Sequence, residues 1–302
     1  MRHRAGPARA AVPAMTGCPF SYSPSSVVLM LAAGDETETR SVRINYIRRG
    51  TGKPLLLVHG LGSSWHTWQG VLAPLAAQRA VVAIDLPGFG KSPPLDGEVT
   101  MRAMADAVAQ FLDEHDLLGT DAVGSSVGAR LVLELARRGE LVGVAIPLAP
   151  SGFWSGWERH AFRLASCLAM RMARLLHATP LPLRRHGWSR ALSLSFFSSE
   201  LGRLPERLLL DEMRALASAE SFALLLQDMV RGEALQGAAA GRMASPVVIG
   251  WGRLDRICLP SQAERARAQF PDARLHWFEN CGHYPHWDTP AETARLILEA
   301  TE

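Results

Sequence analysis

Gly124-Ser125-Ser126-Val127-Gly128 is the stretch that decides how this chain is read. A β-prone segment, Thr120 to Val123, runs into it, and an amphipathic helical segment, Ala129 to Arg138, runs out of it. Glycines two residues before and two after a serine permit a turn too tight for larger side chains. Such a turn lifts the serine oxygen to an exposed apex above the N–H groups of the following helix. Only Ser126 has glycine at both positions, so the frame selects it over Ser125. The pattern gains chemical meaning only if partners for the serine follow downstream.

Working outward, the flanking sequence alternates strand and helix. Val42 to Ile47 alternates as a strand. Leu55 to Val58 and Ala80 to Ile84 are continuous apolar runs of the kind that suit central strands of a sheet covered on both faces. A helix is expected from about Trp65, and another, capped by Thr100, presents Met101, Met104, Val108, Phe111 and Leu112 on one face. Leu141 to Leu148 reads as a further strand. Residues 153 to about 240 are helical in character, with breaks near Pro180 to Pro182, Gly202 and Gly237 to Gly241. Strand patterns resume at Pro246 to Gly250 and Arg274 to Phe278, and a helix from Pro290 ends the chain. The expected architecture is α/β, a doubly wound, mostly parallel sheet with an inserted helical cap. Residues 35–152 and 241–302 form the core and 153–240 the cap.

Residues 1–34 differ from the rest. Arg2, Arg4 and Arg9 precede a Pro/Ala/Ser-rich stretch and a short apolar run, Val27 to Ala33, too short to span a bilayer. A secretory signal would carry that run nearer the charged start, so a disordered extension is expected, with Met15 and Met30 as alternative starts. The 302 residues, 48% hydrophobic, are enough for a sizeable core. A net charge of +3, spread along the chain, gives no reason to expect nucleic acid or an anionic membrane as partner. The four cysteines, Cys18, Cys167, Cys258 and Cys281, show no metal-ligand spacing, so the expectation is a reduced, cytoplasmic protein without metal or cofactor.

A serine hydroxyl needs a base, and the base needs a third group to hold its tautomer. In open α/β sheets such groups gather beyond the carboxyl ends of the strands. Two loops there qualify, Gly252-Arg253-Leu254-Asp255 and Asn280-Cys281-Gly282-His283-Tyr284-Pro285. The order Ser126, Asp255, His283 is the one this kind of serine turn requires. Glu279 and Asp288 also flank His283, but neither follows a strand as Asp255 does.

From about Ser41 onward the chain resembles the α/β-hydrolase superfamily. The resemblance rests on His59-Gly60, Asp85-Leu86-Pro87-Gly88-Phe89-Gly90, the serine turn, Trp251 to Asp255 and Gly282-His283-Tyr284-Pro285, in that order over some 230 residues. It implies Ser126 as nucleophile, His283 as base and then acid, Asp255 as the orienting carboxylate, and an oxyanion hole from the backbone N–H groups of Leu61 and Val127. Two departures stand out. The stretch before the turn, Leu118 to Val123, is short and holds Gly119 and Asp121, which threatens a shifted turn or a frayed strand; Ala129 stands where a second glycine is common.

Ser125, Trp154, Trp157 and Arg130 are the candidate substrate-binding residues. Phe153, Trp154, Trp157, Phe162, Trp188, Phe196 and Phe197 crowd the insertion, so an apolar small-molecule substrate is expected. Asp85 reads as a loop-shaping residue, His66 and His286 as structural, Cys281 as an inert thiol, and Met170 and Met172 as helix packing. The leading expectation is a cofactor-free serine hydrolase of a carboxylic ester or thioester. A lyase or carbon–carbon hydrolase on an anionic substrate is the alternative, because Arg130 resembles an arginine of the menaquinone-pathway lyase; Arg159, Arg163 and Arg190 are the other nearby cations. An inactive binding protein is disfavoured by the complete set of triad residue types. Asp in place of Ser126 would have signalled a dehalogenase or epoxide hydrolase.

Overall fold

The computed structural model describes residues 43–139, 141–178, 197–232 and 234–302. The expected extension, the break at Pro180 to Pro182, and Trp188, Arg190 and Phe196 lie outside the described residues.

The apolar runs become the centre of a seven-stranded sheet. Its strands are β1 (Tyr46–Arg49), β2 (Pro54–Val58), β3 (Ala80–Ile84), β4 (Thr120–Ser125), β5 (Val142–Leu148), β6 (Val248–Gly252) and β7 (Arg274–Phe278). Their order is β1-β3-β2-β4-β5-β6-β7, with β1 antiparallel and all other pairings parallel. Side chains alternate between faces along each strand, and the alternation sorts the core in two. Leu56, Val58, Val82, Ile84 and Ala122 pack with α2 (Met101–Glu114) and α3 (Val127–Arg137). Leu55, Leu57, Val81, Ala83 and Val123 pack with Trp68, with Val71 and Leu75 of α1 (Gln69–Ala76), and with the C-terminal helix Pro290–Ala300. The expected face of α2 is buried, and Thr100 Oγ1 caps it by accepting from Ala103 N at 3.1 Å, a contact worth about 1 kcal/mol.

Two local expectations need correction. Among the described residues the first strand begins at Tyr46, because Asn45 is taken up by the next loop: its N–H donates to Ser92 Oγ (2.8 Å) and its amide to Asp85 Oδ2 (2.7 Å); Val42 lies outside the described residues. The strand before the serine turn is not frayed; all six residues of β4 are buried. Asp121 sits at a register irregularity against β5. It accepts from Val144 N (2.9 Å) and pairs with Arg79 (2.6 Å) and Lys53 (2.8 Å). Burial raises the Asp121 carboxyl, but Lys53, the Val144 N–H and Arg79 outweigh it and hold the group below its ordinary value.

Between β5 and β6 the chain forms α4 (Glu158–His177), a 3₁₀ turn (Leu201–Arg203), α5 (Glu206–Ser218) and α6 (Phe222–Arg231). After β6 come α7 (Ser261–Gln269), then β7, the single turn α8 (Pro285–Asp288) and α9 (Pro290–Ala300). Met170 is buried on α4, and Met172 packs against Leu176, Leu209 and Met213. Among the described residues no helix is long and apolar enough to cross a membrane.

From β2 the sheet grows one way to β3 and the other way to β4. The carboxyl ends of β2 and β4 therefore flank the point where strand order reverses, where open α/β sheets form their crevice.

Candidate active site

The serine turn is a forced shape. Ser126 has φ 54° and ψ −107°, left-handed backbone that a non-glycine residue holds only when its surroundings impose it. The surroundings here are hydrogen bonds: Ser126 N donates to Leu148 O (2.9 Å), while Ser126 O accepts from Arg130 N (3.1 Å) and Ser151 N (3.2 Å). The flanking glycines are obligatory by contact. A Cβ on Gly124 would overlap the backbone of Gly128, and one on Gly128 would overlap the carbonyls of Val58 and His59. Ala129 is fully buried, so the absent second glycine has not opened the packing.

Asp255 and His283 meet across the ends of β6 and β7. His283 Nδ1 lies 2.8 Å from Asp255 Oδ2, both residues buried. The other carboxylate oxygen accepts from Ile257 N (2.8 Å) and Cys258 N (2.9 Å), which fixes the plane of the group. A carboxylate only accepts, so Nδ1 carries the proton. Nε2 is left as an acceptor, buried and without a hydrogen-bond partner. The two rival acids are engaged elsewhere. Asp288 accepts from Gly282 N (2.7 Å), Ser198 Oγ (2.5 Å) and Ser199 Oγ (2.8 Å), and Glu279 pairs loosely with Arg253 (3.4 Å).

The loop after β2 is held by His59. Its Nε2 accepts from Leu86 N (2.9 Å), so its Nδ1–H donates to Gly60 O (2.7 Å). Burial lowers the His59 pKa against the pull of Asp85, which keeps the ring neutral and this tautomer in place. Asp85 Oδ1 accepts from Trp65 N (2.7 Å) and its Oδ2 from Lys91 N (3.0 Å), tying the loops after β2 and β3 together. A Cβ on Gly60 would stand 3.3 Å from both Ser126 Cβ and the Tyr284 hydroxyl. That proximity sets Leu61, the next residue, beside the serine; Val127 begins α3 on its other side.

Ser126 and His283 line a common cavity of about 20 Å³, room for roughly one water. Its walls are Leu61, Phe162, Ser166 and Ala169 of α4, Phe197, Leu216, Phe222, Ile257 and Tyr284. Among these described residues none is cationic. Phe162 and Phe197 belong to the aromatic cluster visible in the sequence. Ser166 and Ala169 share the helix face of Phe162, a spacing that a helical reading of 158–177 would have exposed. Leu216 and Phe222 come from α5 and α6 and carry no such signal.

The candidate substrate-binding residues Ser125, Trp154, Trp157 and Arg130 are not among the residues lining this cavity. Ser125 is fully buried inside β4 and outside the cavity wall. Trp154 packs against Phe162 with the rings tilted at 41° and their centroids 5.1 Å apart, and Trp157 is exposed. Arg130 does not face solvent, and it is not among the residues lining the cavity beside Ser126. It is buried and lines a separate 710 Å³ cavity with Thr100, Glu134, Asp228 and Leu235. His66 stacks on Trp65 (3.8 Å), and buried His286 shares a hydrogen bond with Thr67 Oγ1 (3.0 Å). The Cys281 thiol is buried and pushed far up by desolvation, as befits an inert group. Sequence reading missed Glu212 of α5. Its buried carboxyl is raised to about 8 by desolvation, against a hydrogen bond from Ser63.

Comparison with known proteins shows the family. The model of the "Alpha/beta hydrolase family" matches residues 55–296. An uncharacterized protein of Mycobacterium tuberculosis is 30% identical over 263 residues, 84% of this chain and 77% of its own length. A 2-hydroxymuconate semialdehyde hydrolase of Pseudomonas sp. is 30% identical over 288 residues, covering 87% of this chain and 92% of its own. Among solved structures, a bacterial membrane phospholipase A superposes with a TM-score of 0.68 at 25% identity, over 85% of this chain and 82% of its own. The sheet order, the serine turn at the strand-order reversal and the match over most of the chain have one reading: this protein belongs to the alpha/beta hydrolase family.

Proposed function

We propose that the protein is a serine hydrolase cleaving an uncharged carboxylic ester or thioester with an apolar acyl group. Ser126 Oγ attacks the carbonyl carbon while His283 Nε2 takes its proton. The N–H groups of Leu61 and Val127 stabilise the tetrahedral oxyanion, and the alcohol or thiol leaves with the proton from His283. Water, activated by the same nitrogen, then releases the acid from the acyl-enzyme. Asp255 keeps Nδ1 protonated so that Nε2 stays free to act. Residues 35–152 and 241–302 supply this machinery, and 153–240 act as a cap that selects the acyl group.

The observation that carries this reading is the wall of the cavity beside Ser126 and His283. It is mostly apolar and, among the described residues, holds no cation for an anionic substrate. A second reading, carbon–carbon bond hydrolysis by the same groups, is favoured by the 30% identity to the 2-hydroxymuconate semialdehyde hydrolase. Fluorophosphonate labelling tests the nucleophile: Ser126→Ala should abolish labelling and Ser125→Ala should not. Turnover of a nitrophenyl ester chain-length series, set against turnover of a ring-fission dienoate, separates the two readings. Cleavage of the dienoate with no neutral ester accepted would select the second.

A further inference from the structure

Helix α4 turns two opposite faces to two different surroundings. Its inner face supplies Phe162, Ser166 and Ala169 to the cavity beside Ser126. Its outer face carries Leu164, Leu168 and Leu175, which are 71%, 52% and 62% exposed, and Trp157, just before the helix, is 68% exposed. The steps between these four positions, at about 100° per residue, keep them within roughly 40° of one line about 27 Å long. Scattered exposed leucines are ordinary on a protein surface. These are half of the eight large exposed apolar residues among those described, and they share one line.

The charge beside that line has one sign. His160, Arg163, Arg171 and Arg174 are exposed along one flank. Among the described residues no acidic side chain pairs with Arg163, Arg171 or Arg174. The one acid on the helix, Glu158, is engaged by Arg265. A second copy of the chain would bring a like-charged flank to the same interface, and the one acid on α4, Glu158, is already paired with Arg265. A tryptophan and leucine line beside uncompensated arginines has the composition of a helix that lies in a membrane interface.

We propose that the outer face of α4 docks the protein on an anionic lipid surface. Trp157 and the three leucines enter the boundary between headgroups and acyl chains, while His160, Arg163, Arg171 and Arg174 meet lipid phosphates. The docking stands apart from the catalytic reading, since none of these residues touches the cavity. If both hold, the helix that meets the lipid is the helix that walls the site, and the ester is one that partitions into a bilayer.

Co-sedimentation of the full chain with vesicles tests this. Binding is expected to vesicles of phosphatidylcholine mixed with phosphatidylglycerol, not to phosphatidylcholine alone, and should weaken with added salt. Leu164→Ser with Leu168→Ser should reduce binding about ten-fold or more. Arg163→Gln with Arg171→Gln should reduce it and flatten its salt dependence. Both pairs should hydrolyse a soluble short-chain ester like the wild type, which shows that they fold. Absence of wild-type binding to the mixed vesicles overturns the proposal, as does undiminished binding by the leucine pair. Self-association in sedimentation velocity that the leucine pair abolishes also overturns it, assigning the face to a second copy. Vesicle binding without turnover of any ester would sink the ester-hydrolase reading and leave the docking intact.

Discussion

Asp255 and His283 are joined through one oxygen and one nitrogen 2.8 Å apart, and every other polar atom of the Asp255 carboxylate is spoken for by backbone N–H groups. The imidazole is thereby held with Nδ1 protonated and Nε2 unpartnered, and His283 lines the cavity that also holds Ser126. Asp255→Asn should leave the fold intact and lower kcat on a nitrophenyl ester by about 10⁴, because the amide favours the wrong tautomer. Glu279→Gln should change kcat little, since that side chain is exposed and turned to Arg253. Equal loss in the two variants would remove Asp255 from the role given to it.

Gly128 touches the backbone carbonyls of Val58 and His59 where α3 crosses the end of β2, so an added methyl has no room there. Gly128→Ala should cost about 1–3 kcal/mol in urea unfolding, the range of overpacking a core. Gly97→Ala is the matched control: a Cβ there meets nothing within 4 Å, and the change should stay within about 0.5 kcal/mol. A Gly128→Ala protein as stable as the control would show that the turn adapts.

Glu212 makes stability depend on pH. Its carboxyl moves from 4.5 to about 8 on folding because burial between α5 and the Ser63 loop disfavours the charge, with Asp211 and Asp85 adding to the rise. Between those values the folded state binds the proton and the unfolded state does not. Stability therefore falls as pH rises from about 4.5 to about 8, by up to about 1.4 kcal/mol per unit, and levels off above. Glu212→Gln should remove that slope, so its stability relative to wild type grows across the window. Parallel urea-midpoint curves for the two proteins from pH 5 to 9 would refute the assignment.

Phe162 faces the cavity and Trp157 faces outward. Phe162→Ala should shift preference along an ester series toward longer or bulkier acyl groups. Trp157→Ala should leave preference among soluble esters unchanged. The reverse result would relocate the acyl pocket to the outer side of α4.

Arg130 lines a cavity that shares no residue with the one beside Ser126. Arg130→Ala should leave kcat/KM for a neutral ester within about two-fold while lowering stability, because it empties a buried position beside the half-buried Asp228 and Glu134. A selective rise in KM, removed by salt, would bring the anionic-substrate reading back.

Much of this protein is determined by sequence alone. Apolar runs such as Leu55 to Val58 and Ala80 to Ile84 have one low-energy use, as strands shielded on both faces, and they set the sheet before any partner is known. Gly124 and Gly128 fix the serine turn by excluding side chains from a close approach. The strand ends before Asp255 and His283 point to those residues because crossover connections gather loops on one edge. Sequence stops where spacing cannot tell which way a side chain points. Arg130 and Ser125 sit beside Ser126 in the chain, yet α3 carries one into another cavity and β4 buries the other. Asp121 threatens β4 on paper, but Arg79 and Lys53, distant in sequence, compensate its charge. Glu212 and the two faces of α4 became legible only in three dimensions. Desolvation raises the Glu212 pKa against the hydrogen bond from Ser63, and exposure turns ordinary helix leucines into a surface; both are properties of the space around a residue, not of its neighbours in the chain.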